Sequence, residues 1–264
     1  MLQRTWILKP EPDNKDVCLL QKELGVHETI CKLLAQRRIN SLEKAKRFFR
    51  PNKQNIHDPM VMKNMSEAIG RIKKAIDKKE KILIYGDYDV DGASATALLA
   101  NFFNSINVPY EIYIPDRKKE GYGPSAESFK TLISNGVNLI FTVDCGTMSF
   151  EAIEYAFKNK IDVIVLDHHQ SEVKLPKAHS VVNPNRLDDK SNLKYLCAAG
   201  VTFMFLVSLN KELRSIKWFI ENQITEPNLI EFLDLVALGT VCDVVPLIGL
   251  NRAIVSQGLK ILKS

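Results

Sequence analysis

No stretch of this sequence reaches the roughly 18 uninterrupted apolar residues that an α-helical membrane span requires. Its opening, MLQRTWILKPEPDNKD, lacks the apolar run of a secretory signal peptide. The five cysteines (Cys18, Cys31, Cys145, Cys197, Cys242) are scattered and form no CxxC pair, which argues against a structural zinc site or a disulfide framework. There is no internal repeat and no low-complexity tract. These absences lead to the expectation of a soluble protein in a reducing, cytoplasmic compartment.

What is present points to a folded enzyme-sized chain. With 264 residues and 45% hydrophobic content, the sequence can bury a core for one large domain or two small ones. The formal charge of +5 suits a polyanionic partner, although basicity alone is weak evidence for one. Residues 1 to about 78 read as a helical lead-in, with Leu19, Leu20, Leu24 and then Ile30, Leu33, Leu34 at helical spacing. Ser41 is a fair N-cap for SLEKAKRFF, Pro51 is a fair stop, and a further helix is expected from about 66 to 78 with Ile69, Ile72 and Ile76 on one face.

From Lys81 the texture changes. Short β-branched runs (KILIYG, YEIYI, NLIFTVD, DVIVLD) alternate with helical segments, which predicts an α/β fold with a mostly parallel sheet buried on both faces by helices. After the polar stretch SEVKLPKAHSVVNPNRLDDKSN, three helices are expected, in AAGVTFMFLVSLNKEL, PNLIEFLDLVALGTV and RAIVSQGLKILK. The second body is therefore placed at 79–264.

Three acidic clusters fall at predicted strand ends. GDYDVDG sets Asp87, Asp89 and Asp91 between a strand and a helix, where close carboxylates repel unless a hard cation neutralises them. A calcium-binding EF-hand loop does not fit, because the position that needs Glu is Leu98 and a strand precedes the loop. Taken alone, the segment could be a solvated acidic turn capping a helix. TVDCG then places Asp144 at a second strand end, and VIVLDHHQ places Asp167, His168 and His169 at a third, all where open parallel sheets form their binding crevice. Asp243 in LGTVCDVVPL sits in an apolar context that calls for a cation or a strong donor, an ion pair or helix cap being the alternative.

GDYDVDG, VDCG, DHH and LGTVCDVVPL, in this order, resemble the motifs of the DHH phosphoesterases, and among them most nearly those of the RecJ-type exonucleases. The resemblance extends through RTWILKP, FFRPNKQNIHDP, IPDRKKEGYGPS, VVNPN, LCAAGVTF and NRAIVSQGLKIL. It implies a dinuclear site for Mn²⁺ or Mg²⁺ in which Asp89 and Asp91 each hold one ion, Asp144 bridges them, and His168 and Asp243 complete the shell. Asp87 is a further ligand in this scheme, because some relatives carry a histidine where this chain has Tyr85. Asp167 would orient the neighbouring imidazole, while His169 and Arg117 would face substrate phosphate. Tyr122, between Gly121 and Gly123, is a candidate for stacking on a base or for packing. Lys118 and Lys119 are weaker candidates for phosphate contact, a solvated loop being the plainer reading.

The implied activity is metal-dependent hydrolysis of single-stranded DNA, 5′-to-3′, in repair and recombination. Two alternatives stand beside it: a phosphodiesterase for short oligonucleotides or cyclic dinucleotides, and a non-catalytic nucleic-acid-binding relative. The sequence stops after the helix that leads, in RecJ-type proteins, toward DHHA1 and oligonucleotide-binding domains. The expectation is that these are absent, or supplied by a second polypeptide. Cys145 and Cys242 adjoin proposed ligands and are read as small buried residues, with an oxidation-sensitive site as the alternative.

Overall fold

The computed structural model describes residues 5, 7–50 and 58–263. The chain divides into two compact units, Met1–Asn55 and Ile56–Ser264. Pro51 and residues 52–57 after it, and Arg4 and Trp6 of the opening segment, lie outside the described residues.

The first unit contains α1 (Asn14–Leu24), α2 (Glu28–Gln36) and α3 (Leu42–Phe49). Helix α1 starts on the Asp13 carboxylate, which accepts from the Lys15 N–H at 2.8 Å, and stops at left-handed Gly25. Helix α3 starts at Ser41, as expected, its hydroxyl accepting from the Lys44 N–H at 3.3 Å. Val17, Leu20, Cys31, Leu34 and Ala45 form a small core with Phe48 packed against it.

The second unit begins earlier than residue 79. Helix α4 (Met65–Asp77) was read from sequence as part of the lead-in, yet Met65, Ala68, Ile69, Ile72 and Ala75 line the main core of the larger unit. Periodicity reveals that a helix has an apolar stripe, but not which neighbour covers it.

Five parallel strands follow: β1 (Ile82–Tyr85), β2 (Tyr110–Tyr113), β3 (Leu139–Val143), β4 (Asp162–Leu166) and β5 (Ser180–Val182), in spatial order β2-β1-β3-β4-β5. Strand β5 escaped the sequence reading, since three residues inside a polar stretch carry almost no periodic signal. Alternate strand residues serve two cores. Ile82, Ile84, Phe141, Val143, Ile164 and Leu166 face one that includes α5 (Val90–Ser105) and α8 (Ala198–Ser215). Leu83, Tyr85, Ile140, Val163 and Val165 face another that includes α6 (Ala126–Ser134) and α7 (Phe150–Lys158).

The chain closes with α9 (Trp218–Glu221), α10 (Leu233–Cys242) and α11 (Gly249–Ile261). The segment expected to be one helix over PNLIEFLDLVALGTV opens as a 3₁₀ turn, Leu229–Phe232, before α10 begins. Among the described residues no helix is long and apolar enough to cross a membrane. The order of the sheet reverses between β1 and β3, and there the loops leaving the two strands diverge and open a crevice at the carboxyl edge.

Candidate metal centre

The loops after β1, β3 and β4 and the end of α10 bring the sequence-predicted acids and histidines to this crevice. Three sets of potential ligand atoms each fall within 4.8 Å: Asp87, Asp89 and Asp144; Asp91, His168 and Asp243; and Asp144, His168 and His169. Asp144 and His168 each belong to two sets, so the sets form one continuous cluster. The His168 Nε2 lies 3.3 Å from Asp144 Oδ1 and 3.7 Å from Asp91 Oδ2, while its Nδ1 lies 3.7 Å from Asp243 Oδ2.

Backbone donors hold Asp89 and Asp91. Asp89 caps α5, its Oδ1 accepting from the Gly92 N–H at 2.9 Å. Gly92 has no alternative there, because a Cβ would sit 2.6 Å from that of Asp87. Asp91 turns to the start of α8, where the N–H groups of Ala198 and Ala199 donate to its two oxygens at 2.6 and 2.9 Å and the helix dipole favours the anion. A Cβ at Gly239 would stand 2.6 Å from Asp91 Oδ1 and 2.8 Å from the Ala199 Cβ, so glycine lets α10 approach closely enough to deliver Asp243.

Asp144 is 2% exposed and has φ of 61°, a left-handed conformation uncommon outside glycine. Its Oδ1 and the Oδ1 of Asp87 are buried with no hydrogen-bond partner. Burial first, and then the charges of Asp91, Asp89 and Asp167, push the Asp144 carboxyl up to about 10. Burial also raises Asp87, and burial is the main cause raising Asp243, with His168 opposing. Divalent cations suit this donor set of carboxylates and imidazoles: they would supply the missing partners and offset the repulsion.

Asp167 behaves differently. Although burial alone would raise it, hydrogen bonds hold its carboxyl well below the usual range. Its Oδ1 accepts from the His168 N–H at 2.7 Å and from His169 Nδ1 at 2.8 Å, and its Oδ2 accepts from the Thr147 N–H at 3.0 Å. The imidazole that Asp167 orients is therefore that of His169, whose pKa it raises chiefly through this bond. With Nδ1 donating to Asp167, Nε2 is left for another partner.

Tyr122 is 55% exposed and donates to the Asp144 carbonyl at 2.9 Å, with its hydroxyl 3.2 Å from His169 Nδ1. Gly121 and Gly123 on either side both have positive φ, the tight turn expected from the sequence. Arg117 lies over the Tyr88 ring at 5.0 Å and its charge acts on Asp87. Lys118 and Lys119 are exposed, and the Lys119 ammonium lies 3.8 Å from Asp116. Tyr85 sits in the second core, fully buried, with its hydroxyl donating to the Gly123 carbonyl at 3.2 Å.

Cys145 is buried and its thiol is pushed well up by that burial, whereas Cys242 is exposed and does not fit the buried reading. At the last residue of α10 it faces away from the packed side of that helix.

Some supporting residues were not foreseen. Asn183 Nδ2 donates to the His169 carbonyl and to Thr147 Oγ1, both at 2.9 Å, and Asn185 Nδ2 donates to the His168 carbonyl. Together they fix the backbone of the two histidines. Asn-Pro-Asn was a legible turn signal, with side chains suited to bonding nearby backbone, but nothing local named the strand they would reach.

The sequence profile of the DHH family, N-terminal domain, matches residues 81–240. The single-stranded-DNA-specific exonuclease RecJ of Bacillus subtilis (strain 168) is 36% identical over 252 residues, 96% of this chain and 30% of that protein. The same-named protein of Dickeya dadantii (strain 3937) is 37% identical over 234 residues, 88% of this chain and 40% of its own length. The crystal structure of RecJ in complex with Mn²⁺ from Thermus thermophilus superposes with a TM-score of 0.74 at 27% identity, covering 95% of this chain and 34% of that one. The chain thus spans about a third of the length of these relatives.

Proposed function

Given that this chain belongs to the DHH family, we propose that it hydrolyses phosphodiester bonds in single-stranded DNA with two divalent cations, Mn²⁺ or Mg²⁺. The observation that carries the reading is the pair of buried, unpartnered carboxylate oxygens, Asp87 Oδ1 and Asp144 Oδ1, within a cluster of acids and histidines at the sheet's switch point. The RecJ names of the relatives and the Mn²⁺ of the Thermus complex support the substrate and the metal.

In this reading Asp87, Asp89 and Asp144 would hold one ion, and Asp91, His168 and Asp243 the other. Bound cations would lower the pKa of water and neutralise charge on the phosphoryl oxygens. The chain's own part is to position. Backbone donors from α8 fix Asp91, and Asp167 holds His169 and favours its imidazolium form, in which Nε2 would donate to a phosphate oxygen while Nδ1 donates to Asp167. The Tyr88 ring holds the Arg117 guanidinium beside the same crevice for a second phosphate contact. Burial raises the Tyr122 hydroxyl, which donates to the Asp144 carbonyl, and its half-exposed side chain would be open to a base.

The finer parts of the proposal are 5′-to-3′ exonuclease polarity, a role in DNA repair and recombination in the cytoplasm, and a second polypeptide as the source of strand-enclosing domains. The central test is Mn²⁺-dependent nucleotide release from 5′-labelled single-stranded DNA. Asp144→Ala should lower the rate by roughly a thousandfold or more, about 4 kcal/mol of transition-state stabilisation. Equal rates for the variant and the wild type would sink the catalytic reading.

A further inference from the structure

Positive charge is distributed unevenly along this chain. Residues 1–55 carry twelve Lys and Arg against six Asp and Glu, a formal +6, so residues 56–264 hold −1 of the total of +5. The excess is concentrated in 37–50, where Arg37, Arg38, Lys44, Lys46, Arg47 and Arg50 meet one acid, Glu43. All six are exposed.

Local structure uses only some of them. Arg37 donates to the Leu33 carbonyl at the end of α2, Lys44 bonds Asn40, and Arg47 pairs with Glu43 one helical turn back. Arg38, Lys46 and Arg50 pair with no carboxylate among the described residues. Lys46 and Arg50 are four residues apart and Arg47 and Arg50 three, so on and just past α3 they are surface neighbours, turned away from buried Ala45 by a quarter turn or more.

The aromatic pair on this helix is split. Phe48 packs on the unit's core, whereas Phe49 is 47% exposed between Arg47 and Arg50, its ring 5.7 Å from that of Phe48 in an edge contact. Leaving a phenylalanine in water forgoes stabilisation that burial would give. Phe49 follows Lys46 by three residues, so the half-exposed ring neighbours an ammonium on the helix surface, an arrangement on which an unpaired base can stack while its phosphates meet nearby cations.

We propose that the outer face of α3, with Arg38 at the end of α2, is a contact for single-stranded nucleic acid separate from the metal centre: Arg38, Lys46 and Arg50 take backbone phosphates and Phe49 stacks on a base. A duplex hides its base faces and would use only the charges. The choice of a single strand rests on the function proposed above.

The test uses the full chain with divalent metal chelated, so that binding is read without cleavage. Anisotropy titrations of a labelled oligothymidylate are run across a salt series, beside an equal-length duplex and anionic lipid vesicles. K46E/R50E should weaken single-strand binding by tenfold or more and reduce the slope of log K against log salt by about 1.4, two phosphates at about 0.7 each. Phe49→Ala should weaken it at least about fivefold and leave the slope unchanged. Unchanged affinity and slope in both variants would overturn the proposal, as would a wild-type chain that prefers the duplex or the vesicles. Metal-dependent hydrolysis of a dinucleotide, whose single phosphodiester the metal centre would engage by itself, should be equal in all three proteins; its absence in all of them would count against the metal-centre reading and leave the binding result standing.

Discussion

The two edges of the same parallel sheet treat charge in opposite ways. At the amino edge, buried Arg71 on α4 donates to Asp162 at the start of β4 at 2.5 Å and to Glu80 just before β1 at 2.6 Å, so a cation is matched by two acids. At the carboxyl edge, Asp87, Asp91 and Asp144 are buried together with no lysine or arginine paired to them among the described residues, and one oxygen each of Asp87 and Asp144 has no donor. Matched charge makes an edge that locks elements in place; unmatched charge makes an edge that is stable only once something positive arrives. The contrast separates residues that hold the fold from residues whose charge and missing donors suit a cation.

Breaking the matched edge should have the largest effect. Arg71→Ala leaves the largely buried Glu80 unpaired and Asp162 with only His179 beside it, and is expected to cost about 3 kcal/mol, lowering Tm by roughly 10 °C, with or without Mn²⁺. Scanning calorimetry checks this. A shift of under about 2 °C would show that the pairing is dispensable.

At the unmatched edge the sign reverses. The Asp144 carboxyl has its ordinary value near 3.8 when unfolded and about 10 when folded. Across that window the unfolded chain binds fewer protons, so stability that is fully present below 3.8 is lost as pH rises toward about 10. In chelator, the Tm of the wild type should fall with pH over this range, and Asp144→Asn should flatten the decline while abolishing stabilisation by added Mn²⁺. A steeper decline in the variant would mean that Asp144 is not the group responsible.

The smallest effect is expected away from both edges. Lys119 is 83% exposed beside Asp116, and Lys119→Ala should change stability by no more than about 0.5 kcal/mol and leave nucleotide release unaltered. A tenfold loss of activity would extend the functional surface into that loop.

Much of this was legible because it rests on local pattern. The strand runs at KILIYG, NLIFTVD and DVIVLD announced β1, β3 and β4, and their acids were placed at the correct edge because parallel strands in an α/β order all end on the same side. The short strand β5, the allegiance of α4 and the exposure of Cys242 were not legible, because each depends on which distant segment lies alongside. The same holds for Asn183 and Asn185, whose partners are the carbonyls of His169 and His168.

The sequence by itself determined the α/β alternation, the residue types of the candidate metal centre and the loops that carry them, since hydrophobic period and strand-end chemistry are properties of neighbours in the chain. Tertiary structure alone decided which atoms are left without partners. Asp144 is perturbed and Asp167 satisfied, although both are buried acids at strand ends, because backbone and imidazole donors converge on Asp167 while carboxylates crowd Asp144. Burial and convergence of that kind exist only after residues far apart in sequence have been packed together.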